Sequence, residues 1–364
     1  MPQPPGRPSP LVLALALAAG VAVLAAVAYV GVRLLVPDTP LQQAVGLLPD
    51  DTLRVSFTDW TQLSEQLDGA GITASSEPAA MEEFLERAFD EDLIATSSLA
   101  DSFTALAAAY GVTPLDAEWE AYGQGRDGSV ALLRLGDDVD LDDLRDRLEA
   151  LGYEVPPGGA SSEGTWVGSP ELVAKQDPIL TPLQQHLAVV EDQNLFVMSD
   201  RPEYVDVAVA AVTGDDPDLA SVDGVTELVD IAGEPTDAEI WARDFACEDL
   251  AMAQADPSDR TRGQQLTEDA GGVHPLQGLV FAQQADHTLT VGMQFSDDDQ
   301  ASADLQPRTD LARGEAPGQG GSFSDRFTVA DATAQGSTVT LTLDPKEGRV
   351  LSDLQQGPVL FATC

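Results

Sequence analysis

From Leu11 to Val36 the chain is apolar apart from Arg33, and from Leu11 to Val32 it carries no charge (LVLALALAAGVAVLAAVAYVGV). About 20 apolar residues, at about 1.5 Å of rise each, match the roughly 30 Å hydrocarbon core of a bilayer. A backbone in lipid must satisfy its own hydrogen bonds, which an apolar segment of this length does as a helix. The run therefore divides the chain into a tail (1–10), a span (11–36) and a large aqueous part.

A cleaved signal peptide begins in the same way, with a positive tail, here Arg7 in a Pro-rich stretch. Its apolar core is shorter, about 7–15 residues, and ends at a small-x-small site. Ala26-Val27-Ala28 is such a site, yet apolar residues continue through Val30, Val32, Leu34, Leu35 and Val36. An uncleaved anchor is the expectation. Cys is absent directly after the run, which argues against a lipid-modified Cys anchor.

Arg7 and Arg33 flank the span almost evenly, so the positive-inside rule barely decides its orientation. The acids decide it. All 62 follow the span, with 16 of the 18 basic residues, which leaves the outer part near −46. The expected localisation is the plasma membrane, single-pass, with the tail cytoplasmic and the C-terminal domain extracytoplasmic. That charge repels nucleic acid and anionic lipid surfaces. Hydrophobic residues make up 43% of the chain, enough for a packed core, so the acidity belongs to a folded surface. Lys is nearly absent (Lys175, Lys346), a balance that suits a GC-rich genome, a salty medium or both.

A stalk is expected over residues 37–48, after which strands and helices alternate. Leu53–Thr58 reads as a strand and Met81–Phe89 and Leu99–Tyr110 as helices, from apolar residues three and four apart. Trp119–Gly123 and Ser129–Leu135 read as a hairpin. Leu141, Leu144, Leu148 and Leu151 mark one face of a helix that Gly152 stops. A second hairpin, Leu187–Glu191 with Leu195–Ser199, precedes a helix through Tyr204–Val212. The order then recurs. Glu239–Phe245 is a strand, Leu279–Gln283 and Leu289–Phe295 a hairpin followed by a weak helix, and Phe327–Ala332 with Thr338–Leu343 another. We read a tandem duplication, 49–234 and 235–364. The fold class is α+β, each copy an antiparallel sheet with helices on one face.

Residues 46–56 (GLLPDDTLRVS), 186–199 (HLAVVEDQNLFVMS) and 218–245 (DLASVDGVTELVDIAGEPTDAEIWARDF) resemble the recurring blocks of an uncharacterised family. Its members are bacterial envelope proteins known only as a domain of unknown function, typically behind one N-terminal span. There a Leu-Pro-Ala-Asp-Thr block precedes a strand and a Ser-Leu-Ala block a helix, where this chain has Leu-Pro-Asp-Asp-Thr and Asp-Leu-Ala. The resemblance covers most of residues 46–250, rests on packing and turn residues, and implies no catalytic residues.

Two motifs invite a functional reading. Gly123-Gln-Gly125-Arg-Asp-Gly128 fits G-x-G-x-x-G, but a dinucleotide fingerprint needs a helix next, and Ser129–Leu133 is strand. A hairpin loop using Gly for positive φ accounts for it. Asp138, Asp140, Asp142 and Glu149 fall at calcium-loop spacing, with Asp146 between. Asp143 stands where that loop needs Gly, and the leucines require helix there, so these acids are a weak metal candidate at a helix start. No metal or cofactor is expected.

His186, His274 and His287 are read as surface or edge residues, and Trp60, Trp119, Trp166 and Trp241 as core. No G-x-S-x-G or S-x-x-K motif occurs. A hydrolase's paired carboxylates cannot be singled out among 62 acids. Cys247 and Cys364 are expected to form a disulfide, each at the end of a strand, 239–245 and Val359–Ala362, with the two strands side by side.

The sequence therefore points to a non-enzymatic, anchored envelope protein that binds or scaffolds an envelope protein or cell-wall component. The alternatives are a cell-envelope hydrolase with unrecognised carboxylates, or a ligand-binding module with a cleft between the copies.

Overall fold

The computed structural model describes residues 37–346 and 348–364. The apolar run Leu11–Val36 lies outside the described residues, among which no helix is long and apolar enough to cross a membrane. Residues 40–364 pack as one unit.

Among the described residues, eleven strands form one antiparallel sheet. They are β1 (Arg54–Asp59), β2 (Ala117–Gln124), β3 (Ser129–Leu135), β4 (Trp166–Val167), β5 (His186–Val190) and β6 (Leu195–Ser199). The rest are β7 (Asp237–Ala242), β8 (Gly278–Gln283), β9 (Leu289–Gln294), β10 (Phe327–Gln335) and β11 (Thr338–Pro345). Across the sheet the order is β10-β11-β9-β8-β7-β1-β2-β3-β6-β5-β4. Outward from the central β1–β7 pair it reads β1-β2-β3-β6-β5 one way and β7-β8-β9-β11-β10 the other.

Helices cover both faces of this sheet, not one. Strands β5 to β8 are buried at every residue, so neither side can be left to water. On one face Val55, Phe57, Ile240 and Val280 pack against helices Pro40–Val45, Pro202–Thr213 and Val225–Ala232. On the other, Phe281 and Met293 meet helices Asp298–Leu311 and Val350–Gln355, while Leu133 and Phe196 meet Phe103–Tyr110 and Leu141–Leu151. The four tryptophans are buried, as expected, at 1% exposure or less.

The stalk expectation fails from residue 40 onward. Pro40–Val45 is a helix whose Leu41, Ala44 and Val45 are buried in the first of these cores. Helix Leu141–Leu151 follows its sequence reading closely. Asp140 accepts hydrogen bonds from the N–H groups of Asp142 and Asp143, and Gly152 ends the helix in a left-handed conformation, φ 102°.

Candidate functional site

Cross-strand pairs in β2, β1, β7 and β8 line up in rows, and alternate rows face opposite sides of the sheet. On the side away from Val55 and Phe57, one row reads Glu120–Thr58–Asp237–Gln283. The next reads Tyr122–Ser56–Glu239–Phe281. Glu120, Asp237 and Glu239 are all at 0% exposure.

The segment between helices Pro78–Asp90 and Phe103–Tyr110 lids the first row. Glu120 accepts from Trp60 Nε1 (3.2 Å), Ser97 Oγ, Ser98 Oγ and Ser98 N (each 2.7 Å). Asp237 Oδ1 accepts from Thr58 Oγ1 at 3.0 Å and lies 2.5 Å from Thr96 Oγ1. Gln283 Nε2 donates to Asp92 O at 3.2 Å. The Asp92 carboxylate in turn accepts from Leu351 N at 2.9 Å and from Ser352, at the start of helix Val350–Gln355. In the second row Glu239 accepts from Ser56 Oγ at 3.0 Å and from Arg54 Nε.

Burial dominates the electrostatics here. It raises the pKa of Asp237 well above the usual carboxylate range, against the pull of the Thr96 and Thr58 hydroxyls. It raises Glu120 and Asp92 against their hydrogen-bond donors, and Glu239 even against Arg54. Asp237 Oδ2 and Glu239 Oε2 have no hydrogen-bond partner. These carboxylates are closed to solvent and stitch β1, β2, β7 and β8 to helix Val350–Gln355. Glu120, Asp237 and Glu239 are acids at inward strand positions and Asp92 belongs to the lidding segment, but the sequence does not show which side of a strand is lidded.

A second constellation joins the half-exposed His274 to the buried Asp304 and Arg308. His274 Nδ1 lies 2.5 Å from Asp304 Oδ1, and Arg308 Nε donates to Asp304 Oδ2 at 3.1 Å.

The residues singled out in sequence fall elsewhere. Asp138, Asp140, Asp142 and Glu149 are all exposed. Asp140 caps its helix and Asp142 pairs with Arg145 at 2.9 Å. Among the described residues no group of three acid, His or Cys side chains is placed to hold a metal. His186 is not a surface residue. It is 9% exposed on β5, its pKa lowered by burial. His274 and His287 are half exposed.

Gly123, Gly125 and Gly128 do lie in the β2–β3 hairpin, where Gly125 N donates to Gly128 O at 2.9 Å. Positive φ is not their reason, since none of the three adopts it. They make room. A Cβ on Gly128 would lie 2.5 Å from Tyr204 Cγ, and one on Gly123 2.8 Å from Leu48 Cδ2.

Cys247 and Cys364 are bonded, with Cα atoms 5.6 Å apart. The route differs from the one expected. Cys247 sits in helix Phe245–Asp249, and Cys364 follows a 3-10 turn, Leu360–Ala362, where a strand had been expected.

No known protein family matches this chain, and no curated protein matches it in sequence. Two solved structures resemble it. Crystal form III of TP0453 shares 7% identity at a TM-score of 0.40, covering 88% of this chain and 98% of its own. Crystal form I of TP0453 shares 8% at 0.36, covering 86% and 96%. Likenesses this remote carry no inference about function.

Proposed function

We propose that this chain is a single-pass envelope protein, held by Leu11–Val36, whose acidic C-terminal part sits outside the membrane. There it binds or scaffolds another envelope component without catalysing a reaction. The observation that carries the location is the Cys247–Cys364 disulfide, because such bonds persist in oxidising compartments. The reading against catalysis is supported by the carboxylates gathered at the sheet centre, which are closed to solvent and bonded internally. The mirrored strand order about β1 and β7 supports a tandem duplication, in which β7 to β11 repeat β1, β2, β3, β5 and β6.

The test uses the full chain in bacterial cells. A membrane-impermeant maleimide is applied to intact cells before and after a brief reduction. Labelling only after reduction supports the proposed location, and labelling that requires cell lysis overturns it. Cross-linking in the same cells, followed by purification of the chain, addresses the role. Repeated recovery of one envelope component supports scaffolding. Turnover of glycans or peptides by the pure chain, with no component recovered, favours the hydrolase.

A further inference from the structure

One end of the sheet is built differently from the rest. Ala242, Gly278, Gln294 and Thr338 form its last row, one residue each from β7, β8, β9 and β11. Helix Val225–Ala232 lies over β8 and β9 just before this row. Gly278 and Gly292 let it close in, since a Cβ on either would meet Leu228 or Ile231 within about 3.1 Å. Beyond the helix start the chain leaves a cavity of about 720 Å³.

Three features of this cavity point to a ligand. Gln294 is 8% exposed, lines the cavity, and its amide makes no hydrogen bond within the protein. The amide opens onto the cavity rather than into the sealed interior, so a polar group bound there can take its hydrogen bonds in place of water. Its Oε1 lies only 2.0 Å from where a Cβ on Gly224 would stand, so the amide reaches the start of the helix. No side chain caps that start, where Gly224 is left-handed at φ 85°. Without a side-chain cap, though with Val225 N donating to Val222 O at 3.2 Å and Glu227 in the first turn, this helix start favours negative charge. Finally, Arg243 lines the cavity from an unusual backbone, φ 60° for a non-glycine residue. Its guanidinium is held by carbonyl oxygens, Asp50 O at 2.9 Å and Thr52 O at 3.3 Å, rather than by a carboxylate. In a chain with 62 acids, a cation so held keeps its charge for something else.

The rest of the lining is hydroxyl and amide, from Ser221, Ser296, Ser337 and Gln277, with few apolar side chains. Such a lining matches a ligand rich in hydroxyls. The single cation and helix N-terminus match one anionic group. More charge is disfavoured by Asp223 in the same wall and by the acidic chain as a whole. We propose that the cavity binds an acidic sugar, a hydroxyl-rich ring carrying one carboxylate or phosphate. Arg243 and the Val225–Ala232 N-terminus take the anion, and Gln294 takes a ring hydroxyl. The site is formed by the Val225–Ala232 helix start and the β7, β8, β9 and β11 end of the sheet, and does not depend on the envelope reading above.

Calorimetry on the full chain in detergent micelles tests it with three probes, glucuronate, glucose 6-phosphate and glucose. At least one anionic sugar should bind at millimolar concentration or better, with glucose about tenfold weaker, the ratio expected of one charge-assisted contact. Whichever anionic sugar binds tighter assigns the group as carboxylate or phosphate. Arg243→Gln should weaken the anionic sugar about tenfold and leave glucose unchanged, whereas Gln294→Leu should weaken all the sugars that bind. If Arg243→Gln unfolds, Gln294→Leu and Ser296→Ala carry the test. No binding of any probe to about 10 mM, glucose binding as well as the anionic sugars, or variants that bind like the parent would each overturn the site.

Discussion

Arg308 Nε donates to Asp304 Oδ2 at 3.1 Å, one helical turn away, and neither side chain is more than 1% exposed. The same guanidinium donates to Phe361 O at 2.9 Å and to Thr363 O and His274 O at 2.5 Å. One side chain thus ties helix Asp298–Leu311 to the last residues of the chain. Burial lowers its pKa to about 10, with Asp304 pulling the other way, so it stays charged at neutral pH. Arg308→Met should leave the Asp304 carboxylate buried without its cation, at a cost of about 3–5 kcal/mol. Urea denaturation measures this, and an unchanged midpoint would refute the role given to Arg308.

Asp237 sets a pH dependence whose sign follows from burial. Its folded pKa is raised, first by desolvation, so the folded state holds a proton that the unfolded state releases near pH 4. Stability contributed by this group is full below the unfolded pKa and declines as pH rises towards the folded one. Asp237→Asn mimics the protonated form and keeps an acceptor for Thr58 and Thr96. Its melting temperature should therefore fall less than the parent's as pH rises from about 4 to 7. Parallel curves would show that Asp237 does not titrate as described.

Gly128 lies against the Tyr204 ring, whose hydroxyl donates to Asp51 Oδ1 at 2.9 Å. Gly128→Ala should cost about 1–3 kcal/mol by overpacking. Pairing it with Tyr204→Ala should recover part of that cost, which a double-mutant cycle reads directly. Additive losses would place the strain elsewhere.

The disulfide closes a span of 117 residues. Losing a native disulfide from a small disulfide-bonded domain costs about 2–5 kcal/mol. Cys364→Ser should lower the melting temperature and expose the chain end to carboxypeptidase, because residues 359–362 are buried in the second core. A variant as stable and as resistant as the parent would make the bond incidental.

The hairpins β2–β3, β5–β6, β8–β9 and β10–β11 were legible because hairpins are local. Leu195–Ser199 pairs with the strand just before it, and alternation with a short turn suffices to place both. Helix Leu141–Leu151 was legible for the same reason, its cap, leucine face and terminating glycine lying within 13 residues. The cysteine pair was also found, though from a strand that proved to be a turn.

What the sequence alone determined is therefore local order: the hairpins, helix Leu141–Leu151 with its cap and stop, and the apolar character of Leu11–Val36. Tertiary structure decided the rest. Only the docking of residues 91–99 over β1, β2 and β7 makes Glu120 and Asp237 interior, because burial of a strand's second face depends on what packs there. Only the meeting of β7, β8, β9 and β11 at one end of the sheet brings Arg243, Gln294 and Ser337 around one cavity. Residues so far apart along the chain are joined by strand pairing, and no local periodicity encodes that.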